Sequence, residues 1–522
     1  MRLLSVTMLL LFASPALVVA DDWPQAAGPN DNFQVDGQAA TSFSVDQDDG
    51  VLWQVSLPNT GESTPVVSHG RIFLTCHTAM SADGESGRDI LGLCFDAESG
   101  QQLWQRTLPA SRTTDMASGF SDNTAASAVT DGKHVCFVNV GGSIRTYDFD
   151  GKLIWEYDWV PFGRHHARQQ EPLLYDGKVI LLKTVAADLD VTATTKAGAK
   201  QLGRDPKYWT RLHAFDLATG ALEWVAESAT SVHSLSMLNE MADGKMAILT
   251  GRGGGHQPPE EPYGLSLISA DTGQAIWDRP IKGYAAHHNS VWNQNVAAAF
   301  VGMQHQLINI QDGVIQSSVS IADEVELRLH NDGQYTSTAK GSLVDHKRKR
   351  PTTYHTNCLI GDYHYFRSHH DFLIGRVHIG GEDVNGTRKL SQGKVEYLQV
   401  PVQVVRNGGA KKWLWDKSLK NDVRNIDGYV VYQDQRATLD GWGHVSAASP
   451  IVVGNYLYMP TMLGMVYVIR WDAEILDESA LVSVSDLGPA QKTWTLSSLA
   501  YSDGKLYART MKQLICIKPP SK

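Results

Sequence analysis

"FDLATGALEW", residues 215–224, is one of four strings built alike. "FDAESGQQLW" occupies residues 95–104, "YDFDGKLIW" residues 147–155 and "ISADTGQAIW" residues 268–277. In each, a glycine precedes a tryptophan by four positions: Gly100 and Trp104, Gly151 and Trp155, Gly220 and Trp224, Gly273 and Trp277. A spacing that returns four times in one chain marks a repeated structural unit. The residues before each glycine alternate in polarity, as a strand with one buried face does. Asp96 and Asp216 then open a turn, because a short carboxylate holds nearby backbone N–H groups. The glycine supplies a positive φ that other residues reach at a cost of about 1 kcal/mol. The chain reverses and the next strand carries the tryptophan. An indole takes roughly 150–250 Å² out of water when buried. One small sheet cannot cover it, so each ring is expected to pack on a neighbouring unit.

Upstream of each string lies an apolar strand, a Gly or Asp turn and a second apolar strand. "TPVVSHGRIFLTC" begins at Thr64, and the pattern returns at Ser127, Glu171, His233, Asn289, Thr353, Ser449 and Ser497, eight times in all. Each unit therefore reads as four antiparallel strands, with almost no helical periodicity. Four-stranded units in radial repetition are the blades of a β-propeller. The last unit stops at "LICIKPPSK", where an outer strand should follow, and the missing strand stands at the other end as "DDGVLWQVSLP", residues 48–58, with Gly50 and Trp53. The reading is an all-β, eight-bladed propeller whose last blade is closed by the N-terminal strand, which protects the free edge of an open array. The fifth unit, "INIQDGVIQSSV", keeps Asp-Gly and lacks the tryptophan.

The predicted organisation is a signal peptide over residues 1–20, an N-terminal extension over 21–47 and one propeller domain over 48–522. Insertions are placed near 186–208, 253–263, 322–350 and 384–444; part of the last reads as outer strand, and Trp413, Trp415 and Trp442 in and near it read as exposed. The leader "MRLLSVTMLLLFASPALVVA" has a positive n-region at Arg2, an apolar stretch and a small residue at Ala20, the pattern of a cleavable secretory signal. No later run is long and apolar enough to span a bilayer. The mature chain is expected to be exported, periplasmic or extracellular, without a transmembrane segment, and monomeric.

With 46 Lys and Arg against 56 Asp and Glu, the net charge is −10, which argues against a nucleic-acid partner. The basic run "HKRKR", residues 346–350, reads as a solvated loop. The five cysteines, Cys76, Cys94, Cys136, Cys358 and Cys516, form no CxxC pair, so they point to buried thiols, with a Cys76–Cys94 bridge as the alternative.

These repeats resemble the PQQ-like (pyrroloquinoline-quinone) repeat family, whose units carry a strand followed by A-x-D-x-x-T-G-x-x-x-W. The opening "DDWPQAAGPN", residues 21–30, is similar to the D-W-P-Q-x-R-G-P start of secreted bacterial members, with Ala27 where the arginine would stand. The resemblance covers nearly all of the mature chain and implies an eight-bladed propeller. The family holds both quinoprotein alcohol dehydrogenases and BamB-type outer-membrane assembly proteins. The enzymes resemble one another in a vicinal Cys–Cys disulfide, a Ca²⁺ site of Glu and Asn, and an Asp base. This chain has no adjacent cysteines, no Asp that matches the base, and no lipobox cysteine of the BamB type. The repeat is a packing motif and says little of function.

The loops that enter each innermost strand ring one mouth of a propeller's channel. On this register they bring together His165, His166, Glu171, His233, His287, His288, His355 and His444, with His369 and His370 from a nearby connection and Glu62 and Asn123 beside them. Imidazoles and carboxylates in a concave site suit a small ligand, a divalent metal or acid–base work. The plainer alternative is that they cap loops at a polar funnel, since no HxH or HExxH spacing occurs. Arg164 and Arg168 are candidates for holding an anion. No catalytic residue is assigned. The reading is a binding or scaffold propeller of a bacterial envelope, its partner a small ligand or an envelope protein. The first alternative is a quinone- or metal-dependent oxidoreductase, with PQQ or a divalent metal as cofactor. The second is a protein–protein platform for envelope assembly that uses the 384–444 insertion.

Overall fold

The computed structural model describes residues 22–519 apart from 79–88, 111–122, 160–170, 184–209, 229, 232–234, 254–262, 345–351, 369–371, 385–386, 391–392, 408–409, 425–427, 429 and 432–447. Eight antiparallel sheets follow one another along the chain. Blade 1 consists of Val66–Ser68, Arg71–His77, Ile90–Asp96 and Gln102–Leu108, counted from the innermost strand outward. Blade 2 runs from Val129–Thr130 to Leu153–Asp158, blade 3 from Leu173–Tyr175 to Leu222–Val225, and blade 4 from Met237–Glu240 to Ala275–Pro280. Blade 7 runs from Ile451–Val453 to Leu481–Asp486. Blade 8 takes Ala500–Ser502, Lys505–Arg509 and Gln513–Ile517 from the C-terminal end, and Val51–Ser56 as its outer strand. Trp53 pairs with Cys516 there, so the expected closure is what the chain builds.

Blades 5 and 6 depart from the four-strand pattern, and blade 7 gains a fifth strand from the N-terminal Gln34–Val35. Blade 5 has three ladder strands, Val296–Val301, Gln304–Asn309 and Ile315–Ser320, with its innermost place reduced to a bridge between Trp292 and Ala297. Blade 6 has its four, Thr352–Ile360, Tyr363–Ser368, Leu373–His378 and Val395–Gln399, and two more. The described part of the 322–350 segment forms a hairpin, Asp323–Asn331 with Gln334–Ser342, whose first strand runs parallel to Val395–Gln399 and widens the sheet to six. Val395–Gln399 is the part of the 384–444 segment that serves as outer strand. The tryptophans of that segment are not free anchors: Trp415 is half-buried and stacks on His330 at 3.7 Å and 6°, Trp413 is half-buried under Lys411 at 4.2 Å, and Trp442 lies outside the described residues.

The repeated motif joins blade to blade. A β-carbon placed on Gly100 would stand 2.7 Å from Trp53, one on Gly151 2.9 Å from Trp104, one on Gly220 2.6 Å from Trp155, one on Gly273 2.6 Å from Trp224 and one on Gly313 2.9 Å from Trp277. Each indole therefore lies against the bare α-carbon of the next blade's turn. In three of the five junctions its N–H also donates to a carbonyl of that turn: Trp104 to Phe149 at 2.9 Å, Trp155 to Leu217 at 2.7 Å and Trp277 to Ile310 at 2.7 Å. Glycine is needed twice over, for its φ of +76° at Gly220 and for the space the ring occupies. A bulge precedes each of these tryptophans, leaving Leu52, Leu103, Ile154, Glu223 and Ile276 out of the ladder. The extra residue turns the indole toward the neighbouring blade.

Residues 22–40 cross the innermost strands in blade order. Trp23 bridges to Val67 of blade 1, Pro24 O accepts from Thr130 N of blade 2 at 2.9 Å, and Gln25 Oε1 accepts from Leu174 N of blade 3 at 2.7 Å. Asp31 Oδ2 accepts from Leu238 N of blade 4, Gln34 Nε2 donates to Leu359 O of blade 6 at 2.6 Å, and Gln34–Val35 pairs in parallel with Val452 and Val453 of blade 7. Gly37 then meets Tyr501 of blade 8. These contacts lie toward the ends of the innermost strands away from the mouth loops. The extension is thus a strap across that face, anchored by a fully buried Trp23.

Candidate functional site

At the mouth, short polar side chains lace the blades together. Glu62 N donates to Thr124 Oγ1 at 2.9 Å and Thr64 N to Ser127 Oγ at 2.9 Å, joining blade 1 to blade 2. Ser127 N donates to Glu171 Oε2 at 2.7 Å and its hydroxyl to Oε1 at 3.0 Å, joining blade 2 to blade 3. Ser497 Oγ donates to Glu62 O at 2.8 Å and Ser498 N to Thr64 Oγ1 at 3.2 Å, closing blade 8 onto blade 1. Buried polar groups need partners, and at these three junctions one loop supplies its neighbour's. Asn123, at the same rim, is fully buried.

Asn289 is the hub of the opposite sector. Its Nδ2 reaches His355 O at 3.1 Å, Asn357 O at 3.2 Å and Ser449 Oγ at 3.1 Å, tying blades 5, 6 and 7. Asn289 N donates to Asn357 Oδ1 at 3.0 Å, and Asn357 Nδ2 donates to Asn289 O at 3.1 Å, which fixes the amide orientation of Asn357. His287 and His288 flank the hub, with ring centroids 4.4 Å apart, and His288 Nδ1 donates to Ala285 O at 3.1 Å. His355 N donates to His287 O at 3.1 Å, and its Nδ1 lies 3.4 Å from Asn289 Oδ1. His355 adopts φ +48°, a left-handed conformation uncommon outside glycine and held here by the surrounding hydrogen bonds.

Of the expected convergence, then, the structure brings His287, His288 and His355 together around Asn289 and places Glu171 at a separate junction. His165, His166, His233, His369, His370, His444, Arg164 and Arg168 lie outside the described residues. Among the described residues no three His, Cys, Asp or Glu side chains stand together as a metal cluster.

Two further histidines continue inward from the hub. Asn357 Nδ2 also meets His364 Nε2 at 3.1 Å, and since that nitrogen carries only hydrogens, His364 Nε2 accepts. His364 Nδ1–H is then left to donate to His305 Nε2 at 2.8 Å. Both rings are completely buried around Phe300, whose centroid lies 5.4 Å from His305 and 5.1 Å from His364. Burial pushes His305 down to about 3 and holds His364 well below the usual histidine range, helped by its neighbours His305 and His288. Both are neutral at physiological pH. Neither was a candidate from sequence; the available signal was a histidine alternating into the apolar strands "QHQLIN" and "YHYFRS".

Blade 3 presents a different arrangement. Lys183, at the strand end beside the mouth, is 2% exposed and donates to Tyr157 OH at 2.7 Å. Its Nζ lies 4.2 Å from the Tyr157 centroid, 5.5 Å from Trp159 and 5.4 Å from Phe215. Desolvation lowers its ammonium to about 8, and burial, with Lys183 nearby, lowers His213 to about 4.

The described residues do not fit the quinone that the repeat family would imply. All five cysteines are buried and none is in a disulfide, Cys76 pairing with Leu91 and Cys94 with Phe73 across strands, so no sulfur platform forms. Both oxygens of Glu171 are engaged by Ser127. No helix among the described residues is long and apolar enough to cross a membrane.

The sequence profile of the family described as "Outer membrane protein assembly factor BamB" matches residues 43–148 and 93–379. A comparison with curated protein sequences returns no match. Among solved structures, the quinohemoprotein alcohol dehydrogenase ADHIIG of Pseudomonas putida HK5 is similar at 12% identity over 96% of this chain and 82% of its own, with a TM-score of 0.49. A europium-containing methanol dehydrogenase is similar at 11% identity over 93% of this chain and 88% of its own, TM-score 0.46. BamB from Moraxella catarrhalis is similar at 13% identity over 75% of this chain and 93% of its own, TM-score 0.32.

Proposed function

This chain belongs to the PQQ-like repeat family matched by the BamB profile, and from that premise we propose that it is an exported binding propeller of the bacterial envelope, holding its partner at the polar, histidine-flanked mouth of the channel. One observation supports this reading above the others. Glu171, a ligand or metal candidate from sequence, has both oxygens committed to the N–H and hydroxyl of Ser127 across a blade boundary. The described rim is built to hold loops in place, and a pre-organised polar rim is what a recognition surface requires. His287, His288 and His355 around Asn289 supply imidazole edges at one sector of that rim. The leader over residues 1–20 supports export.

The test is native mass spectrometry of the mature protein purified from its own host's envelope, alongside the His287→Ala/His288→Ala double variant. A co-purifying species that the double variant loses is the expected result. Turnover of an alcohol with a dye acceptor, dependent on added PQQ and Ca²⁺, would overturn the reading in favour of a quinoprotein oxidoreductase.

A further inference from the structure

Between residues 403 and 424, six Lys and Arg stand against two Asp, an excess of +4 in a chain whose net charge is −10. A fixed platform carries this excess. Gln403–Asn407 and Ala410–Leu414 pair as a hairpin, and Val404 and Trp413 on one of its faces join the core that holds Leu398 of blade 6 and Tyr467 of blade 7. Arg406, on the same face, pairs with the buried Asp486 at 3.1 Å, so its charge is spent. Leu419 N donates to Gln403 Oε1 at 2.9 Å, which folds the following segment back over the other face, where Lys412 stands. Gln491 Nε2 donates to Lys420 O at 3.3 Å. That bond brings in Lys492 and the connection that enters blade 8 at the mouth.

Lys412, Lys417, Lys420 and Lys492 are thereby gathered on one surface beside the mouth. All four are exposed, and none forms an ion pair with a described residue. Lys178, Lys245, Lys340, Lys394 and Lys505 each meet a carboxylate instead. Four unmatched ammonium groups set up a local positive field on a chain whose overall charge repels anions. The rest of the surface narrows the partner. Protein interfaces are poor in Lys and rich in aromatic anchors, and a lipid surface is held by an apolar face sunk among its headgroups. Among the described residues, no exposed large apolar side chain falls within 403–424 or 487–498. A lysine ammonium is strongly hydrated, and a hydrated polymer with regularly spaced negative charge can meet it without stripping water from either.

We propose that this lysine surface docks an acidic polysaccharide, whose anionic groups lie along Lys412, Lys417, Lys420 and Lys492. The indoles steady the platform and do not serve as the contact: Trp413 lies under Lys411 and Trp415 against His330, and both are half-buried. The attraction is between exposed charges, so salt weakens it. The surface is separate from the histidines around Asn289 and does not depend on what the channel holds.

The experiment is biolayer interferometry of the full mature chain on immobilised dextran sulfate, with dextran as the neutral polymer, at neutral pH in about 50 and about 300 mM NaCl. The expected result is saturable binding to dextran sulfate alone, weaker at the higher salt. The fourfold variant Lys412→Glu/Lys417→Glu/Lys420→Glu/Lys492→Glu should lose at least about tenfold in affinity. Reversing four exposed lysines elsewhere, Lys133→Glu/Lys152→Glu/Lys282→Glu/Lys518→Glu, changes the net charge equally and should cost less than about twofold. Should the first variant fail to fold, the corresponding fourfold Lys→Gln variant replaces it, with an expected loss of at least about threefold. No binding of dextran sulfate, or equal losses in the two fourfold sets, would overturn the proposal. So would tighter binding to phosphatidylglycerol vesicles or to poly-glutamate that the first variant abolishes.

Discussion

The indole of Trp155, on the outer strand of blade 2, lies over the α-carbon of Gly220 in blade 3, so close that a β-carbon there would fall 2.6 Å from the ring. The same ring donates to Leu217 O at 2.7 Å. Gly220→Ala therefore meets two obstacles, a left-handed φ and an occupied space. The expected loss is about 2–4 kcal/mol, from about 1 for the backbone and 1–3 for overpacking. Trp155→Ala should cost about 3 kcal/mol, less than a fully buried indole because the ring is half-buried. Because each removes the same contact, the double variant should lose less than the two together, by about 0.5–3 kcal/mol. Thermal unfolding of the four proteins measures this; strict additivity would show that the two residues act independently.

The Glu171–Ser127 contact makes a second prediction, at the mouth. Glu171→Ala leaves a buried backbone N–H and a hydroxyl without their acceptor and should destabilise the chain by about 1.5–3 kcal/mol. Glu171→Gln keeps one acceptor oxygen and should lose less. Urea unfolding separates the two; equal losses would mean that the oxygen glutamine retains contributes nothing and that the charge and the second oxygen carry the whole contact.

The ring architecture was legible because its determinants are local and repeated. Gly220, Trp155 and their equivalents each announce the same turn, and Trp53 with "LICIKPPSK" announces the closure. The mouth was legible only in part. His287 and His288 lie in the loop entering blade 5 and His355 in the Thr352–Ile360 strand of blade 6, positions whose register follows from the strand pattern, so their meeting could be anticipated. Glu171 could be placed at the rim, but its engagement with Ser127 depends on the angle between two blades, which no local pattern encodes. His305 and His364 were missed because a buried histidine in an apolar strand looks like any other alternating position until Phe300 and Asn357 are seen around it. Asp31 was invisible for the opposite reason. It stands in a short extension without periodicity, and only the course of that extension over the blades gives its carboxylate a setting.

The His305–His364 pair sets an acid limit on stability. His305 titrates at about 3 in the folded chain because of burial, against 6.5 when unfolded, and His364 is lowered in the same direction. Between those values the unfolded chain binds more protons than the folded one, so stability falls as pH drops from about 6.5 toward about 3. His305→Gln should flatten that part of the profile, even if it lowers stability at pH 7. Urea midpoints taken from pH 7 to pH 4 test this, and an unchanged slope in the variant would show that other groups carry the acid sensitivity.

Asp31 contributes with the opposite sign. Its folded carboxyl is held well above the ordinary value of 3.8 by desolvation, so the folded chain binds the proton more tightly than the unfolded one. Stability from this group is full below the ordinary value and is lost as pH rises from there through the raised folded value. Above that range the folded chain carries an unmatched buried carboxylate at Oδ1. Asp31→Asn keeps an oxygen to accept from Leu238 N and removes the charge, so it should be as stable as the parent at pH 4 and more stable at pH 8. Melting temperatures of the parent and Asp31→Asn from pH 4 to pH 8 measure the divergence. Parallel curves would mean that Asp31 remains ionised throughout, and a less stable Asp31→Asn at pH 8 would mean that a partner already satisfies the charge.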